Sequence, residues 1–393
     1  MTEKKAKRKI PVIRIILLGL ILYVAVRFVI GDGREYDYVE DTAVHGTQEG
    51  NSIYEQNVLM GENGSLYVVY YSDRHTEAYK GNLESKESIK QNYLEMYDMN
   101  VIGNTVYALE GTYGDGFRVI SFDLDRPEEV KRIISKANSE GKQAMHLSNL
   151  LVVEDTCYFL CEGDDSLDND DNMFISYNLT TGEEKIFDVP SIREYFIDNG
   201  TLYFIGDDDI KLYSMPLDGG EITCLSPFKT DDAFMYEGRI YYEGQLTMFT
   251  HVLMSMNPDG TNHKMHQLVD WDYYTTAFVD GKLYTYNGDS ISCMDIDDGV
   301  STAWEIDVRE QVISKITSYY AEYIDTSIAK EEITTRASVL RVSNGYAYFI
   351  PECVIGETSI REAFIMDLDT KEIYLLNEYL GVGPEVEYKE VIK

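Results

Sequence analysis

Five carboxylates crowd the segment GDDSLDNDDN: Asp164, Asp165, Asp168, Asp170 and Asp171. They supply hard oxygen donors of the sort that calcium takes. The EF-hand pattern fails here, because no glycine occupies the turn position and no Glu follows at the right distance. A solvated acidic hairpin loop is the simpler reading of Asp164–Asp171, and DDD at Asp207–Asp209 is a shorter case. His263 and His266 in HKMH, with His251 nearby in sequence, offer imidazoles to a metal. Histidines three apart on a strand face opposite sides, and the sequence supplies no third ligand. Ordinary surface histidines are therefore expected. There is no G-x-S-x-G, HExxH, P-loop or dinucleotide fingerprint, and the glycines of GDGRE and GTYGDG lack a strand–helix context. Residue types and spacing thus assign no catalytic residue, no cofactor-binding residue and no metal ligand. Trp271, Tyr273, Tyr274 and Trp304 remain as aromatics that could stack on a ligand.

The other aromatics follow a repeat. Turn residues, then an apolar residue and a tyrosine, recur at Tyr67, Tyr107, Tyr158, Tyr203, Tyr241, Tyr284 and Tyr348. Their spacings are 40, 51, 45, 38, 43 and 64, mostly those of propeller blades. The unit around Tyr284 reads TAFV, turn, KLYTY, NG, DSISCMDI, DDG, TAWEI. Asp-Gly and Asn-Gly between alternating strands are strong hairpin signals, since a type I′ turn needs positive φ at both central residues. Four strands joined this way make one antiparallel blade, which can bury its faces only against other blades. The fold class expected is all-β: a seven-bladed β-propeller over residues 54–393. Six blades are the alternative, because EAYKGNLESKES in the first unit lacks the turn glycine. Most tyrosines then serve packing between blades.

Two features complete the layout. Residues 31–53 and the C-terminal stretch lie outside the repeats, and a strand from one end could complete a blade begun at the other. Between Tyr284 and Tyr348, residues 309–330 read as a helical insertion with Val312, Ile313, Ile316, Tyr319, Tyr320 and Tyr323 near one face. It packs over a blade or docks a partner. The strings DGKLYTY, SMPLDGGE and MNPDGTN resemble the bacterial low-density-lipoprotein-receptor-related-protein-like β-propeller family of unknown function, whose members often carry an N-terminal membrane segment. The turn chemistry is also similar to that of the TolB propeller. The YWTD tetrapeptide of the receptor propellers is absent, and the resemblance implies no catalytic residues.

Residues 10–30, IPVIRIILLGLILYVAVRFVI, are interrupted only by Arg14 and Arg27. About 20 apolar residues span a bilayer, and arginines near the ends can snorkel. The basic tail of residues 1–9 places the N-terminus in the cytoplasm. The apolar stretch is long for a signal peptide and no A-x-A-like cleavage site follows, so an uncleaved, single-pass signal-anchor is expected. Formal net charge is −35. Seven of the basic residues lie in the first 27 positions with one acid, leaving 27 basic against 68 acidic residues, a net of −41. Such a domain repels nucleic acid and can attract cations or a basic partner. Cys157, Cys161, Cys224, Cys293 and Cys353 have no metal-ligand spacing and read as small buried hydrophobes. The expectation is an extracellular, membrane-anchored, non-catalytic binding module for an envelope protein, peptide or glycan. A hydrolase or lyase with an acidic site in the propeller channel is the alternative.

Overall fold

The computed structural model describes residues 12–39, 58–60, 66–71, 76–82, 87–91, 96–112, 116–135, 146–162, 172–247, 250–268, 275–279, 281–296, 301–322, 324, 327–356 and 358–380. These form antiparallel sheets built from consecutive strands: sheet I (residues 58–91), II (96–135), III (147–186), IV (192–224), V (233–268), VI (276–307) and VII (334–375). Each has four strands except VII, which has five because Thr358–Arg361 pairs with Tyr346–Ile355 beside the main ladder. The first strand of a sheet lies beside the first strand of its neighbour. Met96–Ile102 adjoins Leu147–Val153, which adjoins Ile192–Asp198, which adjoins Ala233–Tyr236. First strands are therefore innermost, and the chain is an all-β β-propeller.

Packing between sheets follows the repeat. One core joins II to III through Phe117, Leu147 and Phe159, the next joins III to IV through Leu160, Tyr195 and Phe204, and the next joins IV to V through Tyr203, Ile205 and Tyr242. Phe234 stacks on Phe278 at 3.7 Å between V and VI, and Phe349 and Tyr286 join VI to VII. These contacts make six packed blades, sheets II–VII. Sheet I is described by its backbone alone, so the six-blade alternative is the count that side-chain packing carries. The repeat tyrosines all fall on second strands, and those of sheets II–VII are buried or half-buried.

The tight turns have the backbone their sequences demand. Asn199–Gly200, Glu237–Gly238 and Asn344–Gly345 each have positive φ at both positions, as type I′ hairpins require. The insertion forms a helix over Arg309–Tyr319, shorter than expected, followed by a 3-10 turn at Lys330–Glu332. Val312, Ile313, Ile316 and Tyr320 are buried in the core shared by VI and VII, so the helix packs over blades. Arg309 ties it down, donating to the Lys330 and Ile333 carbonyls. The expected closure by an exchanged strand does not occur among the described residues, since every sheet is complete from its own stretch of chain.

Residues 31–39 run across the propeller instead. Val12–Ile30 is one helix of 19 residues, and its last turn docks Phe28 against Phe228 and His263. The Asp32 amide then donates to Asn262 Oδ1 at 2.9 Å, and the Tyr38 hydroxyl to Asp198. Among the described residues no helix is long and apolar enough to cross a membrane. Four cysteines are buried and Cys224 is exposed; none of the five forms a disulfide.

Candidate acidic and histidine site

Each blade shows its turns to two opposite faces. The turns after the first and third strands lie on one face, and the turn after the second strand lies on the other with the start of the first. The strap of residues 31–39 touches Asp198, Gly238 and Asn262, all at turns of the first kind. On the opposite face of blades IV and V the chain gathers Arg193, Glu194, Asp231, Asp232, Glu243 and His251.

Local structure sets each of these side chains. Arg239–Thr247 pairs with Thr250–Met256, with Glu243 opposite Leu253 and Gln245 opposite His251. Glu243 and His251 are thus diagonal neighbours on one side of the hairpin, and their Oε1 and Nδ1 atoms are in direct contact. The segment before the first strand of V is pinned to the same hairpin. The Glu243 amide donates to the Asp232 carbonyl at 3.0 Å, and Gln245 to the Lys229 carbonyl at 2.9 Å. Ser226 Oγ donates to the Phe228 carbonyl at 2.7 Å and accepts from Thr230 Oγ1 at 3.0 Å, which fixes the loop leading in. Asp231 is brought beside Glu243 and His251, with one donor atom from each within 4.8 Å of the others. From blade IV, a β-bulge at Arg193 re-aims the strand start. Arg193 Nη1 meets Asp231 Oδ1 at 3.0 Å.

The carboxyls feel their surroundings. Burial pushes Glu243 up to about 7, with His251 beside it opposing the shift. Burial, then the Asp232 charge, raises Glu194 well above the carboxylate range, partly offset by Arg193. Glu194 is only 5% exposed, and its Oε2 has no hydrogen-bond partner.

The sequence singled out other residues. Asp164, Asp165, Asp168, Asp170 and Asp171 lie outside the described residues, as do Trp271, Tyr273 and Tyr274. Trp304 is half-buried under Lys371, whose Nζ sits 3.7 Å from the ring centre. His263 and His266 serve packing: His263 Nδ1 meets the Tyr242 hydroxyl at 2.9 Å, and His266 Nε2 meets Ser255 Oγ at 2.8 Å. His251 does sit in an acidic cluster, but with Asp231 and Glu243 rather than with the HKMH pair. No motif announces this trio, whose members come from a loop and two strands. A carboxylate and a histidine at matched positions of one hairpin were the only available signal.

His266 yields a pH prediction. Arg239 donates to Ser255 Oγ, so the Ser255 hydroxyl is left to donate to an unprotonated His266 Nε2. Burial, then nearby Lys264, lowers His266 from 6.5 to about 4. The unfolded chain takes up a proton near 6.5 and the folded chain only near 4, so acidification across that window favours unfolding. His266→Gln should remove about 2 kcal/mol of the stability lost between those pH values, allowing for solvent screening of a half-buried ring. Urea midpoints of both proteins at each pH measure it.

Known structures share this architecture. A puromycin-hydrolyzing peptidase from Mycobacterium tuberculosis superposes with TM-score 0.55 at 11% identity, covering 89% of this chain and 58% of that one. A prolyl endopeptidase gives 0.50 at 12%, covering 94% and 55%. The β-propeller domain of the Trilobed protease from Pyrococcus furiosus gives 0.46 at 12%, covering 83% and 98%. The chain spans little more than half of the two peptidases, and at these identities the likeness is one of fold. No protein-family model matches the chain, and no curated protein matches it.

Proposed function

We propose that the chain is a membrane-anchored, extracytoplasmic propeller that works as a non-catalytic binding module, holding a basic protein or peptide of the cell envelope on the face that carries Glu243 and His251. The observation that carries this reading is the opposition of the two faces. The strap from the helix occupies the turns of blades IV and V on one side, and the acidic cluster opens on the other. Anchoring is read from the sequence, where residues 10–30 form an apolar run behind a basic tail; in the described part of that run Ile16, Leu22 and Ile30 are each about two-thirds exposed. Sheet I is proposed as a seventh blade, supported by its four-strand topology and by Val58–Met60 lying beside Thr334–Ser343.

Photocross-linking of the full chain tests the binding reading. A cross-linker at Leu246, in the hairpin beside Glu243, should give one saturable adduct that fades as salt is raised. The same group at Asp218, on the strap face, should give none. Equal labelling from both positions sinks the assignment.

The alternative reading, a hydrolase or lyase, is favoured by one observation: two buried carboxyls with raised proton affinity stand on adjacent blades, Glu194 near the start of an inner strand and Glu243 in the second strand of blade V. Carboxyls tuned in this way can act as general acids near neutral pH. Release of fragments from envelope material, abolished by Glu243→Gln, would establish it over the binding module.

A further inference from the structure

We propose that Asp231, Glu243 and His251 hold a divalent transition cation, Zn²⁺ or Mn²⁺, beside the buried carboxyl of Glu194. From the reading above this takes only the assignment of the open face, not the partner. The three donor atoms already lie within 4.8 Å of one another, the spacing of groups that share one ion. They are held by a hairpin diagonal, a backbone-pinned loop and an ion pair across two blades, so little ordering remains for binding to accomplish.

Glu194 is the independent observation. A carboxyl 95% removed from solvent with a bare Oε2 leaves a strong acceptor unsatisfied, which buried polar groups seldom are. It follows Arg193 in the chain, near the start of the strand that faces this loop. The Arg193 guanidinium, from the neighbouring residue, engages Asp231.

Donor chemistry selects the ion. Imidazole suits zinc and related transition metals, while carboxylates also suit manganese. Calcium takes six to eight oxygens and gains nothing from a ring nitrogen. One histidine with two carboxylates therefore fits Zn²⁺ or Mn²⁺ better than Ca²⁺.

The test is isothermal titration of the full chain in detergent, stripped with a chelator and titrated with ZnCl₂, MnCl₂ or CaCl₂. One saturable transition-metal site is expected, weakened at least tenfold by His251→Gln and by Glu243→Gln and unchanged by Asp208→Asn, an exposed acid outside the cluster. Electron paramagnetic resonance of the Mn²⁺ form should show nitrogen coordination that His251→Gln removes while melting shows the variant folded. The proposal is overturned by binding that survives both substitutions, by loss only when Asp168 and Asp170 are replaced, or by the lack of a site. Cross-linking at Leu246 reads separately. An adduct without a metal site sinks this inference alone, and a metal site without an adduct sinks the binding reading alone.

Discussion

Phe349→Ala should lower the unfolding free energy by about 4 kcal/mol, the middle of the range for losing a buried aromatic ring. Phe349 is fully buried in the core that joins blades VI and VII. Its ring meets the edge of Tyr286 at 5.2 Å and stacks on Phe364 at 5.5 Å, and both partners are themselves inaccessible. Truncation therefore costs the transfer energy of the ring and leaves a cavity bounded by strands that cannot collapse into it. The effect is large because no strand is exchanged between the described sheets. Blade-to-blade adhesion rests on side chains, without ladder hydrogen bonds crossing from one sheet to the next. Chemical denaturation of the full chain measures the loss, and a change below about 1 kcal/mol would show that this core yields without strain.

Much of this architecture could be read from the chain because propeller strands are short and repeat the same local chemistry. The second-strand tyrosines and the Asn-Gly or Glu-Gly turns mark blade after blade, and each marker acts within a few residues of itself. Val312, Ile313 and Ile316 declared their buried face through helical spacing alone. The strap was hidden, because its anchors are long-range and individually plain: Asp32 on Asn262, Tyr38 on Asp198. The segments expected to exchange a strand lie mostly outside the described residues, and closure depends on which ends meet in space. The acidic site was hidden most completely. Asp231, Glu243 and His251 look like surface residues until the backbone pairing of Glu243 with Asp232 folds the loop over the hairpin. His263 and His266, which do share a short motif, turned out to be held by Tyr242 and Ser255.

Gly238→Val should free the strap and cost about 3 kcal/mol, combining backbone strain with lost packing. Gly238 has φ +72, a conformation that a β-branched residue tolerates badly. A Cβ placed there would also stand 2.5 Å from Tyr38 Cγ and 2.9 Å from its Cβ, inside the contact distance of real atoms. The turn and the ring cannot both stay where they are. Tyr38 sits on the strap, whereas the type I′ turn is held by two strands of blade V, so the strap is the part that yields. Proteolysis within residues 31–39 should then accelerate at least tenfold while the circular dichroism of the sheets persists. Gly200→Val separates the two contributions, because Gly200 has φ +69 in the same kind of turn with open space where a Cβ would stand. It should carry the backbone strain and leave the strap protected. If both variants expose the strap equally, the Tyr38 contact does not hold it. The strap would then rest on Phe28 and the Asp32–Asn262 hydrogen bond.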